Sequence, residues 1–277
     1  MEQTLATSAP AFIESSGARI AVTRVGSRVP VLCLHATGHG ARDFGPLSQR
    51  LGDRYEFIAL DWPGQGASPS DATPVSAKRY AALVEGVADA LALKRFIILG
   101  NSIGGAAAIE YAARHPDRVR ALVLCNTGGL APVSFLARLV CAYMARFFRS
   151  GERGAPNFQS RFRRYYERMV LLAPAAAERR EEIIASAYRI APVLRQAWES
   201  FGRADADIRA LTPKLKCPVL FAWASQDKLI AWSRSKRAAL AVPRDQVVQF
   251  DGGHAAFLEQ PEAFDAAFVQ FTSKLPA

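Results

Sequence analysis

The run RFIIL (residues 95–99) breaks directly into Gly100-Asn101-Ser102-Ile103-Gly104-Gly105, and three alanines follow. Phe96, Ile97, Ile98 and Leu99 have the composition of a strand buried on both faces. The next residues offer almost no side-chain bulk around one serine. A chain that leaves a buried strand and starts a helix within a few residues must turn through strained backbone torsions. Glycines two positions to either side of Ser102 let neighbouring backbone close in on that turn. Gly105 and Ala106–Ala108 then let the helix pack close behind. The stretch therefore predicts a strand, a tight turn and a helix, with the Ser102 hydroxyl held out over the sheet edge. That is the context in which the pattern G-x-S-x-G carries a nucleophile.

The rest of the chain repeats the alternation. AFIESSGARIAVTRVG reads as two short strands turning near Gly17, and VPVLCLH (29–35), YEFIALD (55–61), ALVLCN (121–126), PVLFAWA (218–224) and VVQFD (247–251) read as further strands. Helices are expected at about 76–93, 103–115, 232–240 and 261–275. In the first of these, Tyr80, Leu83, Val84, Val87 and Leu91 recur at three- to four-residue spacing. Apolar strands alternating with helices imply an α/β fold, a parallel sheet covered on both faces. The alternation stops between Leu130 and about Asp207, where the sequence is helical, Arg-rich and without strand signals. The expected organisation is one core, residues 1–130 and 208–277, interrupted by a helical cap at 131–207, with CNTGGL (125–130) as the hinge into it. Within that cap Phe135, Leu136, Leu139, Tyr143 and Met144 make an apolar stripe. Core packing is the ordinary use of such a stripe, and lining a pocket is the alternative.

Composition narrows the function class. No segment approaches the roughly 20 apolar residues of a membrane span. MEQTLATSAPAFIESSG lacks the basic start and apolar core of a secretory signal, so a cytoplasmic location is expected. The net charge is +10, and residues 131–210 carry +6 of it as 14 Arg and no Lys against 8 acids. Those arginines are interleaved with Glu and apolar residues, as on solvated helix faces, and no nucleic-acid-binding motif accompanies them. A channel that attracts anionic substrates is the sharper alternative. Cys33, Cys125, Cys141 and Cys217 lack metal-ligand spacing and read as small buried hydrophobes in a reducing compartment.

A serine hydroxyl needs a base to take its proton, and the base needs an acid to orient it. Only His35, His39, His115 and His254 are available. His115 ends a helix and reads as a surface or capping residue. His254 lies in FDGGHAAFLEQPEAF, directly after the last strand, at the same sheet edge as Ser102, and is the expected base. Asp227, in WASQDKLI, follows its strand in the same manner and is the expected acid. The corresponding place after ALVLC holds Asn126, which has no carboxylate, while Asp251 ends a strand and reads as a turn cap. The loop LHATGHG (34–40) is placed to supply one backbone N–H to a developing oxyanion and Ile103 another, at a helix N-terminus whose dipole favours negative charge.

LHATGHG, DWPGQGAS (61–68), GNSIGG, WASQD and GGHAAFLEQPEAF together resemble the α/β-hydrolase fold superfamily, across nearly the whole chain except the cap. The resemblance implies a mostly parallel eight-stranded sheet with helices on both faces. It also implies Ser102 as nucleophile, His254 as base, Asp227 as acid, and Thr37 and Ile103 as oxyanion donors. DWPGQGAS resembles the superfamily's D-x-P-G-x-G-x-S turn, for which a structural role is expected. One departure is Ala36, where the superfamily usually has glycine before the oxyanion residue. His35 reads as a structural tether, and His39 as either a substrate contact or a solvated loop residue. GNSIGGAAA with HPDRVRALVLCNTGGL is also similar to serine enzymes that cleave C–C bonds in ring-fission products, but Ala255 follows His254 where those commonly carry Trp.

The implied activity is hydrolysis of a small acyl substrate, a carboxylic ester or lactone, through an acyl-enzyme and without metal or organic cofactor. The rivals are a C–C hydrolase, a ligand-binding receptor on the same fold, and acyl transfer to an acceptor other than water. The expected partner is a small-molecule substrate. A homo-oligomer is left open.

Overall fold

Ser16 (φ 46°) and Gly17 (φ 79°) turn the chain between β1 (Ala11–Ser15) and β2 (Ala18–Val25), a two-residue hairpin of the kind that matches strand twist. The computed structural model describes residues 9–276. Residues 1–8 of the stretch read for a targeting signal lie outside them. Six more strands follow: β3 (Val29–Leu34), β4 (Tyr55–Leu60), β5 (Phe96–Asn101), β6 (Val119–Cys125), β7 (Val219–Ala224) and β8 (Asp245–Phe250). They form one sheet in the order β1-β2-β4-β3-β5-β6-β7-β8. The first two pairings of that order are antiparallel and the other five parallel. The strands β5 and β7 are buried along their whole length, as their unbroken apolar runs require. The edge strand β8 is more exposed, because nothing among the described residues pairs with its outer side.

Helices cover both faces and divide the core in two. Against one face pack α2 (Ala77–Ala90) and α3 (Ile103–Arg114), through Tyr80, Leu83, Val84, Val87, Ile109 and Tyr111. The helix α2 begins at Ser76, whose Oγ accepts a hydrogen bond from the Arg79 N–H at 3.1 Å. The other face is covered by α1 (Gly45–Leu51) and the C-terminal α10 (Pro261–Thr272), with Phe44, Leu47, Phe264 and Phe268 buried. The sequence pattern passed over α1 because seven residues with two buried positions show no period.

Between β6 and β7 the chain makes α4 (Phe135–Glu152), α5 (Phe158–Tyr165), a π-helical turn (Tyr166–Val170), α6 (Ala177–Ala185) and α7 (Ala187–Phe201), and no strand. The remaining helices are α8 (Trp232–Ala239) and α9 (Ala256–Glu259). Cys141, Ala145 and Phe148 make the buried side of α4. Of the stripe for which core packing was the ordinary use, Phe135, Leu136, Leu139 and Tyr143 are exposed, and Met144 alone packs, partly buried, against the core. All four cysteines are buried and free, and burial pushes the Cys217 thiol up to about 11.

Because β3 to β8 run parallel, the loops that follow β3, β5, β6, β7 and β8 all emerge at one rim of the sheet. They carry Thr37, Ser102, Asn126, Asp227 and His254, in that order.

Candidate active site

Ser102 sits at φ 56° and ψ −118°, a conformation that L residues rarely adopt, between the last residue of β5 and the first of α3. The close approach explains the glycines. A Cβ on Gly100 would lie 2.7 Å from the Gly104 carbonyl oxygen, and one on Gly104 would run into the Leu34 carbonyl of the neighbouring strand. The Ser102 hydroxyl makes no hydrogen bond among the described residues. It faces a cavity of about 830 Å³ that His254 also lines. Ile103 is the first residue of α3, so its N–H has no partner within the helix. Ala36 and Thr37 line the same cavity, and the Thr37 Oγ1 is buried without a partner among the described residues. Ala36 thus forms part of the cavity wall at the position where the superfamily usually has glycine.

The imidazole of His254 is oriented from two sides. Its Nδ1 lies 2.8 Å from Asp227 Oδ2, so Nδ1–H donates and Nε2 is left with its lone pair. Its backbone N–H donates to the Val170 carbonyl at 2.7 Å, and its carbonyl accepts from Asn101 Nδ2 at 2.9 Å. Asp227 is held by three more donors. Asn126 Nδ2 reaches Oδ2 at 2.6 Å, and the N–H groups of Leu229 and Ile230 reach Oδ1 at 2.7 and 3.0 Å. Four hydrogen bonds leave a carboxylate one orientation. Asp251 is exposed, and its carboxylate accepts from the side chains of Gln226 (Nε2) and Ser225 (Oγ) and lies outside the His254–Asp227 pair.

Two residues around this pair carried no functional reading in the sequence. Asn126 adopts φ 40° at the end of β6 and accepts the Ala224 N–H at 3.0 Å on its Oδ1 while donating to Asp227. It bridges the strand end to the acid. The second is Glu259, which is buried. Its Oε2 accepts from the N–H groups of Leu172, Ala173 and Gly253 at 2.7, 2.9 and 3.0 Å, and its Oε1 from Ala255 N–H at 3.3 Å. One carboxylate thus ties both neighbours of His254 to the segment after α5. The only local signal for Asn126 was a polar residue directly after a strand, and Glu259, on the short helix α9, had none.

The other histidines separate cleanly. His35 is a tether: its Nδ1–H donates to the Ala36 carbonyl at 2.6 Å and its Nε2 accepts the Trp62 N–H at 3.0 Å. Burial lowers its pKa to about 4, against the nearby Asp61 charge, which works in the opposite direction. His39 is buried, not solvated. Its Nδ1 is 2.6 Å from Asp43 Oδ2, and Asp43 Oδ1 accepts from Arg179 Nε of α6 at 2.6 Å. Burial works against the Asp43 charge, but His39 and Arg179 hold its carboxyl well below the usual range. His39 also lines the cavity. His115 caps the C-terminus of α3, its N–H donating to Tyr111.

The DWPGQGAS turn latches the loop that carries Thr37. Asp61 accepts from the N–H groups of Ala41 (2.6 Å) and Ala67 (2.9 Å), and Gln65 Oε1 accepts from the Gly38 N–H at 2.6 Å. Leu136, Tyr143 and Met144 of α4 line the cavity, whereas Phe135 and Leu139 do not.

Over residues 29–261 the chain matches the family model of the alpha/beta hydrolase fold. It is 29% identical over 254 residues to a pimeloyl-[acyl-carrier protein] methyl ester esterase of Neisseria meningitidis, covering 87% of this chain and 92% of that protein. A shorter match, 38% identical over 105 residues, is to a serine hydrolase-like protein of Danio rerio and covers 37% of this chain and 32% of that one. Among solved structures, an esterase from Thermogutta terrifontis superposes with a TM-score of 0.80 at 22% identity, covering 96% of this chain and 99% of that one.

Proposed function

The chain belongs to the alpha/beta hydrolase fold family and is a hydrolase of the esterase kind, and from that premise we propose a serine hydrolase that opens carboxylic esters or lactones through an acyl-enzyme. Ser102 is the nucleophile, His254 the general base and Asp227 the acid that orients it. The observation that carries this reading is His254, held by Asp227 at 2.8 Å, on the wall of the same cavity as the strained Ser102.

The orientation of His254 by Asp227 supports acylation in these steps. With Nδ1–H committed to Asp227, His254 Nε2 takes the Ser102 proton as Oγ attacks the substrate carbonyl carbon. The imidazolium that forms is stabilised by the Asp227 carboxylate. Negative charge moves to the carbonyl oxygen, where the N–H groups of Ile103 and Thr37 are its donors and the N-terminus of α3 adds its dipole. The tetrahedral intermediate collapses, the C–O bond breaks, and His254 returns its proton to the leaving alkoxide. Water then repeats the sequence on the acyl-serine and releases the acid.

Residues 131–207 act as a cap in this reading. Tyr143 and Met144 of α4 and Leu194 and Trp198 of α7 form the far wall of the cavity and set which acyl groups fit.

The test is a turnover screen of short and long acyl esters, lactones and vinylogous 1,5-diketones, run beside Ser102→Ala. Ester or lactone turnover that disappears in the variant supports the proposal. Turnover of the diketone alone moves the scissile bond to C–C, and activity retained by Ser102→Ala places the nucleophile elsewhere.

A further inference from the structure

The N-terminal half of α4 turns a row of large apolar side chains to solvent. Phe135 is 77% exposed and Tyr143 67%, with Leu136, Leu139 and Val140 exposed between them. At one-, three- and four-residue spacing they form a single strip about two turns long. Leu136, Val140 and Tyr143 also line the cavity. The strip is therefore the outer continuation of the cavity wall, and contiguous apolar surface of this kind marks a contact site.

Around the same opening the charge is one-sided. Lys78, Arg161, Arg164, Arg168, Lys228 and Arg234 line the cavity, against Asp205, which is paired with Arg203. None of those six cations forms an ion pair among the described residues, nor do Arg138 and Arg146 on the exposed side of α4. A second copy seated here would bring the cations face to face. A neutral apolar partner would satisfy the strip and leave the cations unpaired. An anionic lipid surface satisfies both, with apolar side chains among the acyl chains and guanidinium groups at the phosphates.

We infer that this face docks the protein on an anionic phospholipid surface, and that its substrate is a long-chain acyl ester drawn from the bilayer along α4 to Ser102. The second half rests on the serine-hydrolase reading, and the docking does not.

The experiment is co-sedimentation with vesicles of phosphatidylcholine alone and of phosphatidylcholine mixed with phosphatidylglycerol. Wild type and Ser102→Ala are both expected to bind the mixed vesicles at least about tenfold more tightly than the neutral ones, with binding that weakens as salt rises. Phe135 and Leu139 lie outside the cavity, so Phe135→Asp with Leu139→Asp should reduce vesicle binding about tenfold or more while turnover of a short soluble ester stays at the wild-type rate. Circular dichroism of the double variant checks that it folds. Wild-type protein that stays in the supernatant with both vesicles overturns the inference, as does equal binding to neutral and anionic vesicles. A dimer on size exclusion that the double variant dissolves assigns the strip to a second copy and overturns it too. Vesicle binding by Ser102→Ala keeps a failure of docking distinguishable from a failure of the catalytic reading.

Discussion

His254 Nδ1 and Asp227 Oδ2 meet at 2.8 Å although 27 residues of chain separate them, because β7 and β8 are parallel neighbours and both loops leave at the same end. Asp227→Asn should break the arrangement without disturbing the packing. An amide in that place can offer an N–H to Nδ1 and hold the imidazole in the wrong tautomer. The expected loss in kcat is about ten-thousand-fold with KM little changed. Steady-state kinetics on whichever ester the screen identifies, with a melting curve to confirm folding, checks it.

Asn126→Ala tests the bridge between β6 and the acid. The change leaves the buried Ala224 N–H without its acceptor and takes one of four donors from Asp227. Stability should fall by about 1–3 kcal/mol, the cost of one unsatisfied buried group. Because the acid is held less firmly, kcat should fall more than KM rises. Urea denaturation and steady-state kinetics on the same preparation separate the two effects.

Glu259→Ala removes the acceptor of four backbone N–H groups at once. The expected cost is about 3 kcal/mol or more, since several buried donors lose a charged partner together. Amide exchange should quicken at Gly253 and Ala255 and at Leu172 and Ala173, on both sides of the lost carboxylate. Exchange confined to residues 253–255 would mean that the tie to the segment after α5 is unimportant.

Acid should destabilise the fold through His35. Unfolded, its imidazole takes up a proton near pH 6.5, whereas burial keeps it neutral in the folded state until about pH 4. Between those values the unfolded chain binds the extra proton. The stability that His35 contributes is therefore complete above pH 6.5 and is lost as pH falls towards 4, by about 3 kcal/mol. Urea midpoints measured across this window should decline, and His35→Gln, which keeps an acceptor for the Trp62 N–H, should flatten the decline.

Much of this architecture was legible because it is written locally. A β-branched run ending in Gly-x-Ser-x-Gly leaves the chain few options at Ser102, and an apolar strand followed by a short polar loop places Asp227 and His254 at the same rim. What escaped were contacts set by how distant segments approach. Asn126 was passed over for lacking a carboxylate, yet it is the amide between Ala224 and Asp227. His39 gained a buried Asp43–Arg179 partner only because α6 folds back over its loop. Phe135 and Leu139 carry a pattern that ordinarily signals core, and nothing in the period of α4 distinguishes a strip facing its neighbours from one facing water.

The assignment of Ser102 as nucleophile meets its most direct test in covalent labelling. After incubation with a fluorophosphonate, peptide mass spectrometry should find one adduct per chain, on the peptide carrying Ser102. Labelling should vanish in Ser102→Ala and slow by orders of magnitude in His254→Ala. An adduct on another serine, or undiminished labelling in either variant, would contradict the triad.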